Sequence, residues 1–195
     1  MNIKTLYNSL DQSIEAKKSL LQEIELIKKV INNLTRTIKN GNKILICGNG
    51  GSAADAQHLA AEFLIRLRPN VNRKPFPVLS LATDISTITA CGNDYSFEDI
   101  FKRNFEALYN KGDALIVIST SGNSKNILKI LKFAKTKKTL VVGFLGSKGG
   151  KAKKFCTYPI IVRSNVVARI QEAHIFLGHY IFESIENNLI YRHKR

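Results

Sequence analysis

Apolar residues near the start of the chain recur at alternating intervals of three and four. After an opening at Leu6, Leu10 and Ile14, one stripe continues through Leu20, Ile24, Ile27, Ile31, Leu34 and Ile38. This spacing predicts helix over residues 4–39, either as one long helix or as two. A stripe of this length often carries more apolar surface than its own chain can cover. We therefore expect residues 1–40 to take part in an oligomer interface, with packing inside the chain as the open alternative.

From residue 41 onward, short apolar runs alternate with longer helical patterns. The runs predict strands at residues 43–47, 78–81, 114–118, 139–145 and 158–162, and the clearer helical patterns cover 97–109, 125–135 and 167–188. Nearly all-apolar strands separated by helices are typical of a parallel sheet covered on both faces. The sequence thus predicts one α/β domain over residues 1–195, with its α/β core at 41–195. Ligands of such sheets bind beyond the carboxyl ends of the strands.

The composition excludes several classes of protein. Hydrophobic residues make up 44% of the chain and charged residues 23%, which is typical of a globular protein. No apolar run approaches the roughly 18 residues of a membrane span, and the first ten residues do not resemble a secretory leader. The three cysteines are far apart and predict reduced thiols rather than disulfides. We expect a cytoplasmic protein without a membrane partner.

The formal net charge of +15 makes the chain attractive to anions, nucleic acid among them. Its basic residues are dispersed over almost every predicted helix and loop, and lysine outnumbers arginine. This distribution favours solvated faces over a dedicated nucleic-acid surface, so no specific nucleic-acid partner is expected. A positive field also helps to gather a phosphorylated small molecule, without identifying which one.

A loop rich in hydroxyl groups follows the predicted strand 114–118. Residues 119–124 read Ser-Thr-Ser-Gly-Asn-Ser, and a helix is predicted from Lys125. Hydroxyls, backbone N–H groups and the positive end of a helix dipole together form a phosphate cradle made of neutral residues. A polar turn with Ser124 as helix cap is the alternative. The density of hydroxyls at the end of a strand favours phosphate.

A glycine-rich loop, residues 48–52, follows the first predicted strand. Its glycines let the backbone approach a ligand closely, and Ser52 can cap the next helix. Ala53 stands where a dinucleotide fingerprint needs glycine, and no Gly-Lys-Ser/Thr of a P-loop follows. An ordinary strand-to-helix turn and a loop for a ligand smaller than a dinucleotide both stay open.

Two predicted helices carry polar pairs at spacings that share a face. His58 and Glu62 are four residues apart, and Gln171 and His179 are eight apart. Together these side chains could bind a divalent metal or supply an acid and a base for proton transfer. A surface salt bridge and an unrelated polar face are the alternatives. Spacing leaves the choice open, because the two pairs are more than 100 residues apart.

Four segments in order resemble a known family, the sedoheptulose-7-phosphate (phosphoheptose) isomerases of the sugar isomerase (SIS) superfamily. They are residues 47–58 with Glu62, residues 92–94, residues 118–124, and residues 169–174 with His179. The resemblance implies a single SIS domain with a five-stranded parallel sheet flanked by helices, in homotetramers whose active sites lie between subunits. It also implies conversion of sedoheptulose 7-phosphate to D-glycero-D-manno-heptose 7-phosphate, the entry to nucleotide-heptose synthesis for lipopolysaccharide or capsule.

The resemblance further implies roles for individual residues. Its phosphate-binding positions match Ser119, Thr120, Ser121 and Ser124, and its sugar-contacting positions match Asn49, Gly50, Gly51, Ser52, Asn93 and Asp94. Its acid/base pair matches Glu62 and His179. Its zinc site, with one ion per subunit, matches His58, Glu62, Gln171 and His179, and Glu62 and Gln171 also reach the substrate.

One departure and one rival accompany the resemblance. Residues 166–168 are wholly apolar where family members often carry a polar residue. Any polar side chain that assists the family's reaction from that position is therefore missing here. A relative of these isomerases is a non-catalytic regulator that binds the bacterial replication initiator, and the basic charge keeps that alternative open. That regulator lacks the acidic residue and the final histidine, which stand here as Glu62 and His179. The sequence therefore favours an enzyme.

Overall fold

Five parallel strands form one sheet in the computed structural model of the protein, which describes residues 3–191. The strands are β1 (Ile44–Gly48), β2 (Val78–Ser80), β3 (Ala114–Ser119), β4 (Leu140–Gly146) and β5 (Tyr158–Val162), in the order β2-β1-β3-β4-β5. In the register, Ile46 pairs with Ser80 on one side and with Ile116 on the other. The predicted five-stranded parallel sheet is confirmed, with no strand end displaced by more than one residue.

Seven α-helices surround the sheet in the described part of the chain. They are α1 (Ile3–Lys18), α2 (Ile24–Lys39), α3 (Gly51–Leu64), α4 (Ile85–Asp94), α5 (Ile100–Leu108), α6 (Lys125–Thr136) and α7 (Val167–Ile190). A 3-10 turn over Ser19–Glu23 separates α1 from α2, so the N-terminal pattern forms two helices rather than one. Another turn, Phe97–Asp99, occupies the start of the helix predicted at 97–109.

The alternation along each strand divides the core into two layers. Ile44, Ile46 and Ile116 face α2, α3 and α7, whereas Leu45, Leu115 and their neighbours face α5 and α6. Every residue of β1 and β3 is buried, as both faces of these strands are covered. The layer with α3 and α7 carries the polar pairs predicted from spacing.

The N-terminal apolar stripe is covered mainly by its own chain. Leu20, Ile27, Ile31, Leu34 and Ile38 are buried in the layer with α3 and α7. Packing on the sheet already removes these side chains from water, so an interface formed by residues 1–40 would have to use other side chains of the segment. The expected oligomer interface stays a prediction. Other apolar side chains of this segment stay exposed, among them Leu6, Leu10 and Ile14 of α1, together with Leu21 and Ile24.

The chain changes direction between β1 and β3, the two central strands. It leaves β1 through α3 to reach β2 on one side, and leaves β3 through α6 to reach β4 on the other. The loops that follow β1 and β3 therefore diverge and leave a crevice at the carboxyl edge, where open α/β sheets bind their ligands. Among the helices described, none is long and apolar enough to cross a membrane.

Candidate active site

The glycine loop after β1 depends on two glycines for its shape. Gly50 has φ +54° and directly precedes α3, a left-handed conformation that residues with a Cβ rarely adopt. A Cβ on Gly51 would lie 2.4 Å from Nε2 of Gln171, so the absence of a side chain lets Gln171 of α7 rest against the loop. The expected capping by Ser52 is wrong: α3 begins at Gly51, and Ser52 is a buried residue of its first turn.

An amide pair joins the glycine loop to the segment that follows β3. Asn49 Nδ2 donates to Asn126 Oδ1, and Asn126 Nδ2 donates back to Asn49 Oδ1, both at 2.8 Å. Asn126 is buried in the first turn of α6. The pair fixes the side chain of Asn49 at the crevice. Sequence reasoning missed Asn126, because its partner lies 77 positions away and no periodicity marks it.

The hydroxyl loop, residues 119–124, is shaped partly by its own hydroxyls. Ser119 Oγ accepts from the N–H of Gly122 at 3.1 Å, and Ser121 Oγ accepts from the N–H of Asn123 at 3.1 Å. Ser124 directly precedes α6, but its side chain makes no capping hydrogen bond. The alternative of a plain serine cap thus fails. The loop presents hydroxyls and backbone donors at the N-terminus of a 12-residue helix.

A second loop, residues 147–152, braces the hydroxyl loop from the side of β4. The N–H of Ala152 donates to the carbonyl of Gly122 at 2.9 Å, and the N–H of Lys151 donates to Asn123 Oδ1 at 3.0 Å. The two backbones approach so closely that a Cβ on Gly122 would meet the carbonyl oxygen of Gly149 at 2.1 Å. No sequence motif marks this contact between the two loops, although the pair Gly149-Gly150 signals a tight turn.

His179 of α7 meets both residues of the α3 pair, which spacing alone left open, whereas Gln171 lies against Gly51 at the start of α3. His58 Nε2 lies 2.9 Å from His179 Nε2 and 3.5 Å from Glu62 Oε1. Ligand atoms of all three residues fall within 4.8 Å of one another. We call these three residues the imidazole–carboxylate cluster. Glu62 Oε2 is buried and has no hydrogen-bond partner, so the cluster offers an unsatisfied acceptor.

Electrostatics favour a neutral His179. Burial lowers the pKa of His179, the nearby His58 lowers it further, and Glu62 opposes both effects. A neutral imidazole can take up a proton or hold a metal through its free nitrogen, whereas an imidazolium can do neither. The cluster is therefore suited to proton transfer and to metal binding alike.

Asp55 is a further acidic residue on this face that the sequence analysis did not single out. It lies three residues before His58 on α3, a spacing that places both side chains on one face. Its Oδ2 is buried without a partner, and burial raises the pKa of Asp55 to about 6, although the nearby His58 lowers it. The spacing from His58 was the signal that could have identified it.

Asn93 and Asp94 lie apart from these groups at the end of α4. Asn93 Nδ2 donates to Asp94 Oδ1 at 2.8 Å, and both residues are exposed. Asp94 lines a cleft between α4 and α5 together with Tyr95 and Arg103. Their predicted contact with a sugar stays a prediction, as do the predicted contacts of the glycine and hydroxyl loops and of Gln171.

Comparison with known proteins places these features in a family. A family model described as "SIS domain" matches residues 9–146. The phosphoheptose isomerase of Clostridium acetobutylicum is 45% identical over 183 residues, which cover 92% of each chain. That of Aneurinibacillus thermoaerophilus is 46% identical over 188 residues, or 95% of this chain and 93% of the relative.

Solved structures agree with the sequence relatives. A phosphoheptose isomerase from Francisella tularensis matches with a TM-score of 0.90 and 32% identity, over 96% of this chain and 100% of that one. The phosphoheptose isomerase from Neisseria gonorrhoeae matches with a TM-score of 0.87 and 36% identity, over 94% and 98%. A doubly wound sheet with this site defines a SIS domain protein. Within that class, the chain belongs to the phosphoheptose isomerases, which are aldose–ketose isomerases.

Proposed function

We propose that this enzyme converts sedoheptulose 7-phosphate to D-glycero-D-manno-heptose 7-phosphate through an enediolate. The observation that carries the proposal is the meeting of His58, Glu62 and His179 beside a sheet whose β3 ends in a hydroxyl-rich loop. One region suits proton transfer and the other suits a phosphate group. The names of the relatives support a phosphorylated heptose as the substrate.

The hydroxyl loop would hold the phosphate. Ser119, Thr120, Ser121 and Ser124 would donate hydroxyl hydrogen bonds, and the N-terminus of α6 would add its partial positive charge. These hydroxyl donors are neutral, so they would not exchange protons with the imidazole–carboxylate cluster. Asn49, held by Asn126, would orient the sugar hydroxyls together with Gly50, Gly51 and Ser52, while Asn93 and Asp94 would act from α4.

The proton transfers fall to Glu62 and His179. Ketose-to-aldose conversion moves one proton from C1 to C2 and another between O1 and O2. Glu62 would carry the carbon-bound proton on Oε2, the oxygen that has no hydrogen-bond partner. His179 would move the proton between the two substrate oxygens, and its lowered pKa keeps the imidazole neutral and able to accept.

The donor atoms at this site fit a zinc ion. Two imidazole nitrogens and a carboxylate oxygen lie within 4.8 Å of one another, and nitrogen–oxygen sets of this kind suit zinc. His58, Glu62 and His179 would hold the ion, one per subunit, with the amide oxygen of Gln171 as a fourth ligand. When bound, zinc would act as a Lewis acid on the substrate oxygens. A neutral His179 has one free nitrogen, which cannot bind zinc and accept a proton together, so metal binding and proton transfer would alternate at this residue.

The proposed assembly is a homotetramer in which residues 1–40 form part of the interface. Support comes from exposed apolar side chains on α1 and from a second group on α7, Phe176 and Tyr180, which lies beside Leu21 and Ile24. The solvent-exposed apolar area of these residues would decrease when the chains associate. Light scattering tests the assembly: we expect the mass of four chains, and an active monomer would contradict it.

The product would enter nucleotide-heptose synthesis for lipopolysaccharide or capsule. The decisive assay incubates purified protein with sedoheptulose 7-phosphate and follows aldose formation, with fructose 6-phosphate as the matched substrate control. We expect turnover of the heptose at least about tenfold above the hexose, because contacts to the longer sugar lower its transition state. The regulator alternative predicts no turnover together with binding to a replication initiator protein.

A further inference from the structure

Two arginines enter the interior from the segment between α3 and β2. The side chain of Arg73 is 3% exposed, and that of its partner Glu186 on α7 is fully buried. Arg73 Nε donates to Glu186 Oε1 at 2.6 Å, and Arg68 Nε donates to Glu186 Oε2 at 2.7 Å. Glu186 follows His179 by seven residues, which is about two helical turns. The buried carboxylate of Glu186 therefore lies on the same helix as His179 of the cluster.

The rest of the Arg73 guanidinium binds the backbone of α3. Nη2 donates to the carbonyl of Glu62 at 2.8 Å, and Nη1 donates to the carbonyl of Phe63 at 2.9 Å. Both carbonyls belong to the last turn of a helix that ends at Leu64, where carbonyls lack partners within the helix. The guanidinium also lies over the ring of Phe76, 4.5 Å from its centroid.

One side chain thus connects the backbone of Glu62 to the helix that carries His179. Burial of ions costs free energy, and an apolar pair of similar volume often serves stability as well. Stability alone therefore does not explain an arginine here. An apolar pair could not donate a hydrogen bond to the Glu62 carbonyl and at the same time form an ion pair with a residue of α7.

We propose that Arg73, anchored by Glu186, is a positioning residue that holds the α3 turn of Glu62 in register with His179 of α7. The chemistry it serves rests on the proposed function, whereas the contacts are independent of it. Loss of the connection displaces the Glu62 carboxylate from His58 and His179 without touching the hydroxyl loop. Turnover and metal binding should suffer, and substrate affinity should not.

Arg73→Lys is the first test. A lysine keeps a positive charge near Glu186, but its ammonium lacks the planar fork that reaches two carbonyls and a carboxylate together. We expect a folded protein whose kcat falls about 10- to 100-fold, since a small displacement of a reacting group costs this much. The KM for sedoheptulose 7-phosphate should change less than about twofold, as ground-state binding is untouched.

The double variant Arg73→Met/Glu186→Leu separates positioning from stability. It removes both charges together, so folding should recover relative to Glu186→Leu alone. Arg68 keeps its hydrogen bond to Asn187 Oδ1 at 2.7 Å. The proposal expects kcat to stay low at a restored Tm. A merely structural role predicts that kcat returns with stability, and this result would overturn the proposal.

Metal binding supplies a readout that needs no turnover. Metal-free protein is titrated with Co²⁺ and followed by visible absorption, and Arg73→Lys should bind about tenfold more weakly or worse. Glu183→Gln is the matched control, because Glu183 is an exposed α7 partner of Arg68 at 3.5 Å; its kcat and affinity should stay at wild-type values. If the wild type isomerises no sugar, the proposed function fails, and the Co²⁺ titration alone then tests the role of Arg73. Weaker Co²⁺ binding by Arg73→Lys than by the wild type supports positioning. Equal Co²⁺ binding by the two proteins refutes it.

Discussion

The hydroxyl loop and the imidazole–carboxylate cluster are built in opposite ways. The loop is one continuous segment whose turn is closed by its own hydroxyls, at Ser119 and Ser121, on neighbouring backbone N–H groups. The cluster forms where α3 and α7 cross, and its two histidines are 121 positions apart. The loop consists of neutral donors, while the cluster contains three titratable groups and an unpaired carboxylate oxygen.

In the proposed function, this difference separates the residues that bind the substrate from those that transfer protons. A phosphate needs several donors at one place, which a single turn at a helix N-terminus can provide. Proton transfer needs a base and an acid on either side of the reacting atoms, so the protein must bring separate helices together. Changes in the loop should therefore affect KM, and changes in the cluster should affect kcat.

The largest expected effect is that of Glu62→Gln. The amide keeps the shape of the side chain but cannot accept a proton, so kcat should fall about 100-fold or more while KM changes little. Steady-state kinetics with sedoheptulose 7-phosphate measure both. Glu106→Gln, an exposed carboxylate of α5 paired with Lys102, is the control. Near-normal kcat in Glu62→Gln would remove Glu62 from the mechanism.

His58→Ala tests the cluster as a metal site. Protein purified without chelators or a metal-affinity step should contain about one zinc per chain, and His58→Ala should lose most of it because a three- or four-ligand site loses a donor. Elemental analysis gives the content. Gln57→Ala is the neighbouring control, since the Gln57 amide binds the carbonyl of Ala82 instead. A wild-type protein that contains no zinc would count against the convergence of these side chains on a zinc ion.

Ser124→Ala and Ser119→Ala test the loop. A lost hydrogen bond to a charged phosphate should raise KM about tenfold or more in each, with a smaller change in kcat. Ser124→Ala is the cleaner variant, because Ser119 Oγ also holds the loop through Gly122. Ser184→Ala on α7 serves as control. A fall in kcat at unchanged KM would assign the loop to chemistry and erase its contrast with the cluster.

The elements that the sequence predicted well are those encoded locally. The five strands, the glycine turn and the hydroxyl loop each depend on residues close in sequence, and all appear where the pattern indicated. The N-terminal stripe predicted helix correctly but left the helix's packing partner open, because an amphipathic pattern does not reveal whether its own sheet or another chain covers it. Leu34 is fully buried, for instance, while Leu10 is exposed.

The candidate site was predictable only in part for the same reason. His58 and Glu62 share a face by spacing, yet their meeting with His179 follows from how α3 packs on α7. Asn126 and Arg73 act through contacts to distant backbone and side chains, and no motif marks such residues. The contact of Gly51 with Gln171 differs from these, because the residue type itself is a signal: close approach of another element is a common reason for glycine.

A further prediction concerns the stability of the fold around α7 at acid pH. His174 is fully buried near Phe144, and burial lowers its pKa to about 4, opposed only in part by the backbone of Leu145. The unfolded chain, with a histidine pKa of about 6.5, binds the proton more tightly. The free energy of unfolding is therefore unaffected by His174 above about pH 6.5 and falls by up to about 1.4 kcal/mol per pH unit towards pH 4.

Urea unfolding of the wild type and of His174→Gln between pH 7.5 and 4.5 measures this contribution. The substitution should flatten the pH dependence of the free energy of unfolding over that range, even if it lowers that free energy at every pH. Equal slopes in the two proteins would show that His174 does not control the acid sensitivity of α7.

Isotope incorporation tests the central claim, proton transfer at the imidazole–carboxylate cluster, most directly. Sedoheptulose 7-phosphate is isomerised in D₂O, and deuterium at C2 of the aldose is measured by mass spectrometry or NMR. Proton transfer through an enediolate predicts deuterium at C2 with the wild type, and incorporation about 100-fold slower or worse with Glu62→Gln. Absence of solvent deuterium at C2 even after many rounds of interconversion, or undiminished incorporation in Glu62→Gln, would contradict the account.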